Sequence, residues 1–185
     1  MRHLVRLASL LFLPTLVSSQ HLLSFGVKGG VPLTDASSGA VSKNYVIGAM
    51  VDLKLPLGFA IEADALYRPL NLTTAAYGFG SSVARSFGDI SSGEFPILAK
   101  YHFLHTPIVK PYAEAGPIFR HVGSEASYFS NGGFALGGGI DFKALLIRIS
   151  PEIRFSRWGS DSASRSPLLP SSNRNQAEFL IGLSF

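Results

Sequence analysis

Residues 145–157 read Leu-Leu-Ile-Arg-Ile-Ser-Pro-Glu-Ile-Arg-Phe-Ser-Arg. Leu145, Ile147, Ile149, Pro151, Ile153 and Phe155 occupy alternate positions, with Leu146, Arg148, Ser150, Glu152 and Arg154 between them. Successive side chains of a strand point to opposite faces, so this pattern predicts a strand with one apolar and one charged face. A helix would need apolar residues at a period near 3.6, and no such period is sustained anywhere in the mature chain.

Working outward, the same alternation recurs. Phe134, Leu136, Gly138, Ile140 and Phe142 oppose Ala135, Gly137, Gly139, Asp141 and Lys143. Ala177, Phe179, Ile181, Leu183 and Phe185 oppose Glu178, Leu180, Gly182 and Ser184. Eight segments follow the rule: 22–33, 45–55, 58–68, 93–103, 109–121, 133–143, 145–157 and 175–185. Most are close to the ~9–11 residues that a tilted strand needs to cross a bilayer.

Within these segments the charges share one phase. They are Lys28, Lys54, Arg68, Lys100, Arg120, Lys143, Arg148 and Arg154, against Asp52, Glu62, Asp64, Glu94, Glu114, Asp141, Glu152 and Glu178, eight of each sign. Arg157 and Lys110, at strand ends, are assigned to the opposite phase. Alternation alone does not say which face is inside. The aromatic residues do: Phe25, Phe59, Tyr101, Phe103, Phe142 and Phe185 cluster toward one end of the apolar face. Tyr45, Tyr67, Phe95, Phe119, Phe134 and Phe155 cluster toward the other. Two aromatic girdles around an aliphatic band are expected where a barrel meets two lipid–water boundaries. The expectation is an all-β, eight-stranded antiparallel up-and-down transmembrane barrel with its charges inside. The proposed interior network is Asp52, Lys54, Glu62, Asp64, Arg68, Lys100, Glu114, Arg120, Asp141, Arg148, Glu152 and Arg154. A barrel of this size is just wide enough to be filled by side chains, and buried charges must be paired.

Composition agrees. The chain has 185 residues, one domain in length, with no cysteine, 46% hydrophobic residues and 19 glycines. Charged residues are 15%, against about 25% in an average globular chain. Disordered, collagen-like and disulfide-stapled classes are excluded. No basic run or stripe supports nucleic-acid binding. Residues 1–19 have a basic start (Arg2, Arg6), an apolar stretch from Leu7 to Val17, and Val17 and Ser19 before Gln20. This is the layout of a secretory signal peptide, which leaves residues 20–185 as the barrel domain. Loss of Arg2 and Arg6 takes the formal charge from +4 to +2.

Connections alternate in length. Short links fall at Pro56-Leu57, Leu104–Ile108 and Ala144, and long ones at 34–44, 69–92, 122–132 and 158–174. Membrane barrels have short turns on the periplasmic side and long loops outside. Pro96, Pro111, Pro117 and Pro151 stand against this scheme, because proline cannot donate to a ladder. They call for bulges or for strand limits displaced by a few residues.

Several stretches carry a family likeness: Phe25-Gly26-Val27-Lys28-Gly29-Gly30, 110–116 (KPYAEAG), 133–142 (GFALGGGIDF), Pro151-Glu152-Ile153-Arg154-Phe155, and 179–185 (FLIGLSF). Their order and spacing resemble the small outer-membrane β-barrel domain family of bacteria, of the porin-like or outer-membrane-protein-A type. The resemblance spans nearly all of residues 21–185. It implies an exported barrel in the bacterial outer membrane, in contact with outer-membrane lipid. It also implies insertion by the barrel assembly machinery, which reads a terminal aromatic residue; Phe185 holds that position.

Motifs for chemistry are sparse. His102 and His105 do not have zinc-ligand spacing, and no HExxH, GxSxG or phosphate loop occurs. His121, Ser124 and Glu125 lie together, but residues so close in one loop seldom form a triad. The expectation is a non-enzymatic protein without cofactor or metal, acting as a structural element and through its external loops. A narrow passive pore, a lipid-modifying enzyme and a soluble lipocalin-like carrier are the alternatives.

Overall fold

The structure is a computed structural model that describes residues 22–34, 45–78, 81–104, 106–122, 130–144, 146–160 and 173–185. The signal-peptide assignment and most of the links at 34–44, 122–132 and 158–174 lie outside the described residues.

Eight strands follow in order: β1 Leu23–Pro32, β2 Val46–Lys54, β3 Phe59–Gly78, β4 Ser81–His102, β5 Val109–Val122, β6 Gly132–Ala144, β7 Ile147–Trp158 and β8 Asn175–Ser184. Each pairs antiparallel with the next, and β8 returns to pair with β1, so the sheet is a closed barrel. Closure leaves no strand edge inside the wall, which a sheet surrounded by hydrocarbon requires.

The faces are sorted as the alternation predicts. All twelve girdle aromatics, from Phe25 and Tyr45 to Phe155 and Phe185, are exposed. So are Ile47, Ile97, Leu136, Ile149, Ile153, Ile181 and Leu183 between them. At one girdle the Phe59 and Tyr101 rings lie 4.9 Å apart, and Tyr101 meets Phe103 edge-on at 5.4 Å. The charges point inward. Lys110 departs from its assignment. It shares the phase of the inward Tyr112 and stands opposite Asp141, so its side belongs to the lumen mouth. Among the residues with described burial, Arg157 is left as the charged strand residue on the outer phase.

Two further differences concern the elements. The link expected at 69–92 is not a loop. β3 and β4 continue past the barrel wall as a two-stranded ribbon, paired from Pro69↔Ser91 to Gly78↔Ser81 with a register shift between Asn71 and Thr73. The Ser, Gly and Thr content of this stretch reads as loop, yet cross-strand pairing overrides composition. The prolines bring no bulge. Pairing between β3 and β4 skips only the rungs at Pro96 and its neighbour, with Ala63↔Ile97 and Leu66↔Glu94 in one unbroken register. Pro117 likewise interrupts β4–β5 but pairs with Phe134 of β6, and Pro151 interrupts β6–β7 but pairs with Ile181 of β8. A strand residue offers its N–H to one neighbour only, so each proline costs pairing on one side.

The β2–β3 turn is a single tight turn, Pro56–Gly58, in which Leu57 has φ 64° and Gly58 φ 84°. A left-handed backbone suits glycine. On leucine it costs about 1–2 kcal/mol.

Candidate functional site

The lumen is organised in layers. At its centre Arg154, from β7, reaches across the barrel. Its guanidinium lies 3.0 Å from Asp64 and 3.4 Å from Glu62 on β3, 3.1 Å from Glu114 on β5 and 2.7 Å from Glu152 on its own strand. Lys28 of β1 donates to Glu62 (2.5 Å), Glu152 (3.0 Å) and Asp64 (3.3 Å). Lys100 of β4 donates to Glu62 (2.5 Å), lies 3.6 Å from Glu114, and sits 4.2 Å above the Tyr112 ring. The Tyr112 hydroxyl donates to Glu152 (2.9 Å). Glycine at 137 and 139 makes this crowding possible: a Cβ on Gly137 would lie 2.8 Å from Glu114 Oε1, and one on Gly139 2.7 Å from the Tyr112 hydroxyl.

Toward the ribbon end two apolar groups close over this centre. One is Val46, Leu66 and Leu180; the other is Leu98, Ile118, Ala135 and Trp158. Beyond them Arg68 bonds Glu94 (3.0 Å) and Glu178 (2.5 Å). Arg120 donates to the Ser130 carbonyl (3.0 Å) and stacks 4.1 Å from the Trp158 ring. At the short-turn end Arg148 donates to Asp52 (2.6 Å) and to Ser24 Oγ (2.8 Å), and lies 3.4 Å from Asp141. Ser150 donates to Asp141 (2.6 Å), and His102 contacts Asp141 and the Gly58 carbonyl, each at 3.1 Å.

Of the sequence-assigned network, the structure gathers Glu62, Asp64, Glu114, Glu152, Arg154 and Lys100 in the central layer. Arg68 and Arg120 lie toward the ribbon end, and Asp52, Asp141 and Arg148 near the short turns. Lys54 does not join them. It keeps the inward phase but is exposed at the end of β2, as is Lys143 at the end of β6. This alters the charge balance. Eight buried carboxylates face six described basic side chains in the layers, Lys28, Arg68, Lys100, Arg120, Arg148 and Arg154. Phase counting in the sequence treats a strand end like its middle, and that is why the two sides looked equal. The sequence list of network residues also missed Lys28, Glu94, Glu178 and His102. All four share the inward phase and were available to it.

Glu62, Glu114 and Glu152 each bring a carboxylate oxygen within 4.8 Å of the others, a spacing that suits a metal ion. The same carboxylates are already bonded to Lys28, Lys100 and Arg154, so cationic side chains hold that place. His121 is exposed on the outer phase of β5, and Ser124 and Glu125 lie outside the described residues.

No protein-family model matches the chain, and no curated protein does. Solved structures do. The outer membrane protein OprG from Pseudomonas aeruginosa superposes with a TM-score of 0.56 at 14% identity, over 88% of this chain and 92% of that one. This is the fold of the small outer-membrane β-barrels. Neisserial surface protein A gives a TM-score of 0.53 at 14% identity, over 88% of this chain and 94% of that one. An apolar exterior around a charged interior is the inverse of a soluble barrel, and it suits a wall that faces lipid.

Proposed function

We propose that this chain is an integral protein of the bacterial outer membrane whose lumen is plugged by its own ion pairs, and that it acts through the parts projecting from the membrane. The observation that carries the reading is the contact of Arg154 with Asp64 and Glu62. β3 and β7 are four strands apart in an eight-stranded ring, so they form opposite walls. Side chains that meet from opposite walls leave no continuous water path along the axis. Interaction with a partner then falls to the external segments, of which the β3–β4 ribbon is the largest described. The same reading makes the chain non-enzymatic, with Glu62, Glu114 and Glu152 engaged by Lys28, Lys100 and Arg154 as ion-pair partners.

Phe185 is the proposed recognition signal for the barrel assembly machinery. It is exposed, and its backbone exchanges two hydrogen bonds with Phe25, at 3.4 and 3.1 Å. Phe185→Ala is expected to reduce assembled barrel in cells while the purified protein still folds in detergent.

Planar-bilayer recording on the purified protein tests the plug. The expected result is no steady conductance. A steady current comparable to that of a general porin overturns the plugged lumen and establishes the pore reading.

A further inference from the structure

The central layer of the lumen is out of electrical balance. Four carboxylates meet there, Glu62, Asp64, Glu114 and Glu152, against three bases, Lys28, Lys100 and Arg154. Each of these side chains is at most 2% exposed. The described bases of the neighbouring layers do not make up the difference. Toward the ribbon end Arg68 and Arg120 lie beyond the two apolar groups, and Arg68 is held there by Glu94 and by Glu178 of β8. Toward the short turns Arg148 is held by Asp52 and Asp141. The strands that complete the ring bring no charge to this level. β6 sets Gly137 opposite Glu114, β2 brings Met50, and β8 brings Gly182.

The four carboxylates are not equally served. Glu62 accepts from Lys28 on one oxygen and from Lys100 on the other. Glu152 accepts from Lys28 and Tyr112 on one oxygen and has Arg154 2.7 Å from the other. Asp64 leaves Oδ1 unbonded but has Lys28 and Arg154 within 3.3 Å of Oδ2. Glu114 has one hydrogen bond, from Arg154 Nε to Oε1 at 3.1 Å. Its Oε2 is buried, stands 3.6 Å from Lys100, and has no hydrogen-bond partner among the described residues.

We infer that the central layer is a binding site for one proton, carried on Glu114 Oε2. The inference rests on the plugged lumen, because open water would supply the missing counter-charge. A carboxylate buried without a counter-charge is so costly that it takes up a proton instead. An oxygen from each of Glu62, Glu114 and Glu152 lies within 4.8 Å of the others, and like charges so close favour protonation of one of them. A proton on Oε2 brings the layer to three negative charges against three positive. It also turns an unbonded charged oxygen into a hydroxyl, and it leaves Oε1 to accept from Arg154. The proton comes from water, and no other bond changes. A metal cation would satisfy the same count, but Lys28, Lys100 and Arg154 already hold the space between the carboxylates.

The test uses the mature barrel folded into vesicles, with infrared spectra recorded at about pH 6, where ordinary carboxyl groups are ionised. The expected result is the carbonyl band of a protonated carboxyl group, displaced when glutamate is isotope-labelled at its side-chain carboxyl and lost in Glu114→Gln. A second readout is the pH dependence of unfolding. Glu114 is ionised in the unfolded chain at this pH, so the folded barrel binds one proton more, and its stability falls as pH rises. Between about pH 5 and pH 6 the folding equilibrium constant is expected to fall about tenfold relative to that of Glu114→Gln, whose amide does not titrate. A closed, folded barrel without the band, or with a band indifferent to the glutamate label, overturns the inference. A band and a pH slope that survive Glu114→Gln overturn it too. The labelling needs no substitution and decides the matter alone if Glu114→Gln does not fold. A barrel that passes a steady porin-like current overturns the plugged lumen instead, so the two failures are distinct.

Discussion

Arg154 is the side chain on which the interior turns, and its four carboxylate neighbours make its loss unequal to theirs. Removing it strands Glu62, Asp64, Glu114 and Glu152 with Lys28 and Lys100 as their remaining cations. Breaking a buried pair in this way typically costs ~3–5 kcal/mol. Removing one carboxylate is different, because within the layers the eight buried carboxylates outnumber the six basic side chains. Arg154→Gln is therefore expected to lower the urea midpoint of the folded barrel well below that of Glu114→Gln. Equal midpoints would show that the centre is wet enough to screen both changes. On the outer face the same charge has a different cost. Val51→Arg or Ile149→Arg places a guanidinium toward lipid near mid-bilayer, where about 2–4 kcal/mol is expected. Stability measured by unfolding from vesicles checks it, with Gly48→Arg, on the inward face, as the crowding control. The inward phase of these residues was legible in the sequence. Which inward residues meet was not, because Arg154 and Asp64 are ninety positions apart in number and are joined only by barrel closure. The exposure of Lys54 and Lys143 was equally hidden: it depends on where the wall ends, not on phase.

Among the elements, six strands begin and end within two residues of their alternating segments, since each is bounded by a turn or a change of pattern. β3 and β4 run on far past the sequence limits. Among the described residues their outer parts pair with each other, and the Ser, Gly and Thr content of 69–92 hides this pairing from a reading by alternation. Excision of 72–88, with a short turn in its place, is accordingly expected to leave the barrel folded and its thermal transition unmoved within about 2 °C, the scale of a small local change. A fall of ten degrees or more would mean that the ribbon braces the wall. Hydrogen exchange gives a second reading: amides of the ribbon are expected to exchange well before those of β5 to β8, having two open flanks. Surface proteolysis within 69–92 is accordingly expected to be slower than in an unpaired loop. The prolines show how little a ladder can lose. Pro96, Pro117 and Pro151 each silence one flank and leave the register of both neighbours unchanged.

For the whole molecule, the aromatic girdles gave the sidedness that alternation withheld. A core and a lipid-facing wall are both apolar, and only the recurrence of Phe and Tyr at two levels separates them. The likeness to OprG and Neisserial surface protein A, each at 14% identity, shows how few residues the architecture dictates. Heat-modifiability checks the assembly directly. Unheated protein in detergent is expected to migrate faster on a gel than boiled protein, and cell fractionation is expected to place it with the outer membrane. Recovery from the soluble periplasm without detergent would mean that the two faces have been exchanged.

The seam between β1 and β8, where Gly26 meets Ser184 and Pro32 meets Glu178, sets a rule for the order of events in biogenesis. Every other pairing joins neighbours along the chain and forms as a hairpin. This one waits for the last strand to be made. Until then an intermediate of seven strands presents two bare rows of amides, each of which would be stranded in hydrocarbon. On the membrane reading proposed above, insertion strand by strand is energetically disfavoured, and the chain is expected to enter the bilayer only with its seam closed. A chain truncated before Asn175 is expected to leave the edges of β1 and β7 open rather than to form a smaller barrel.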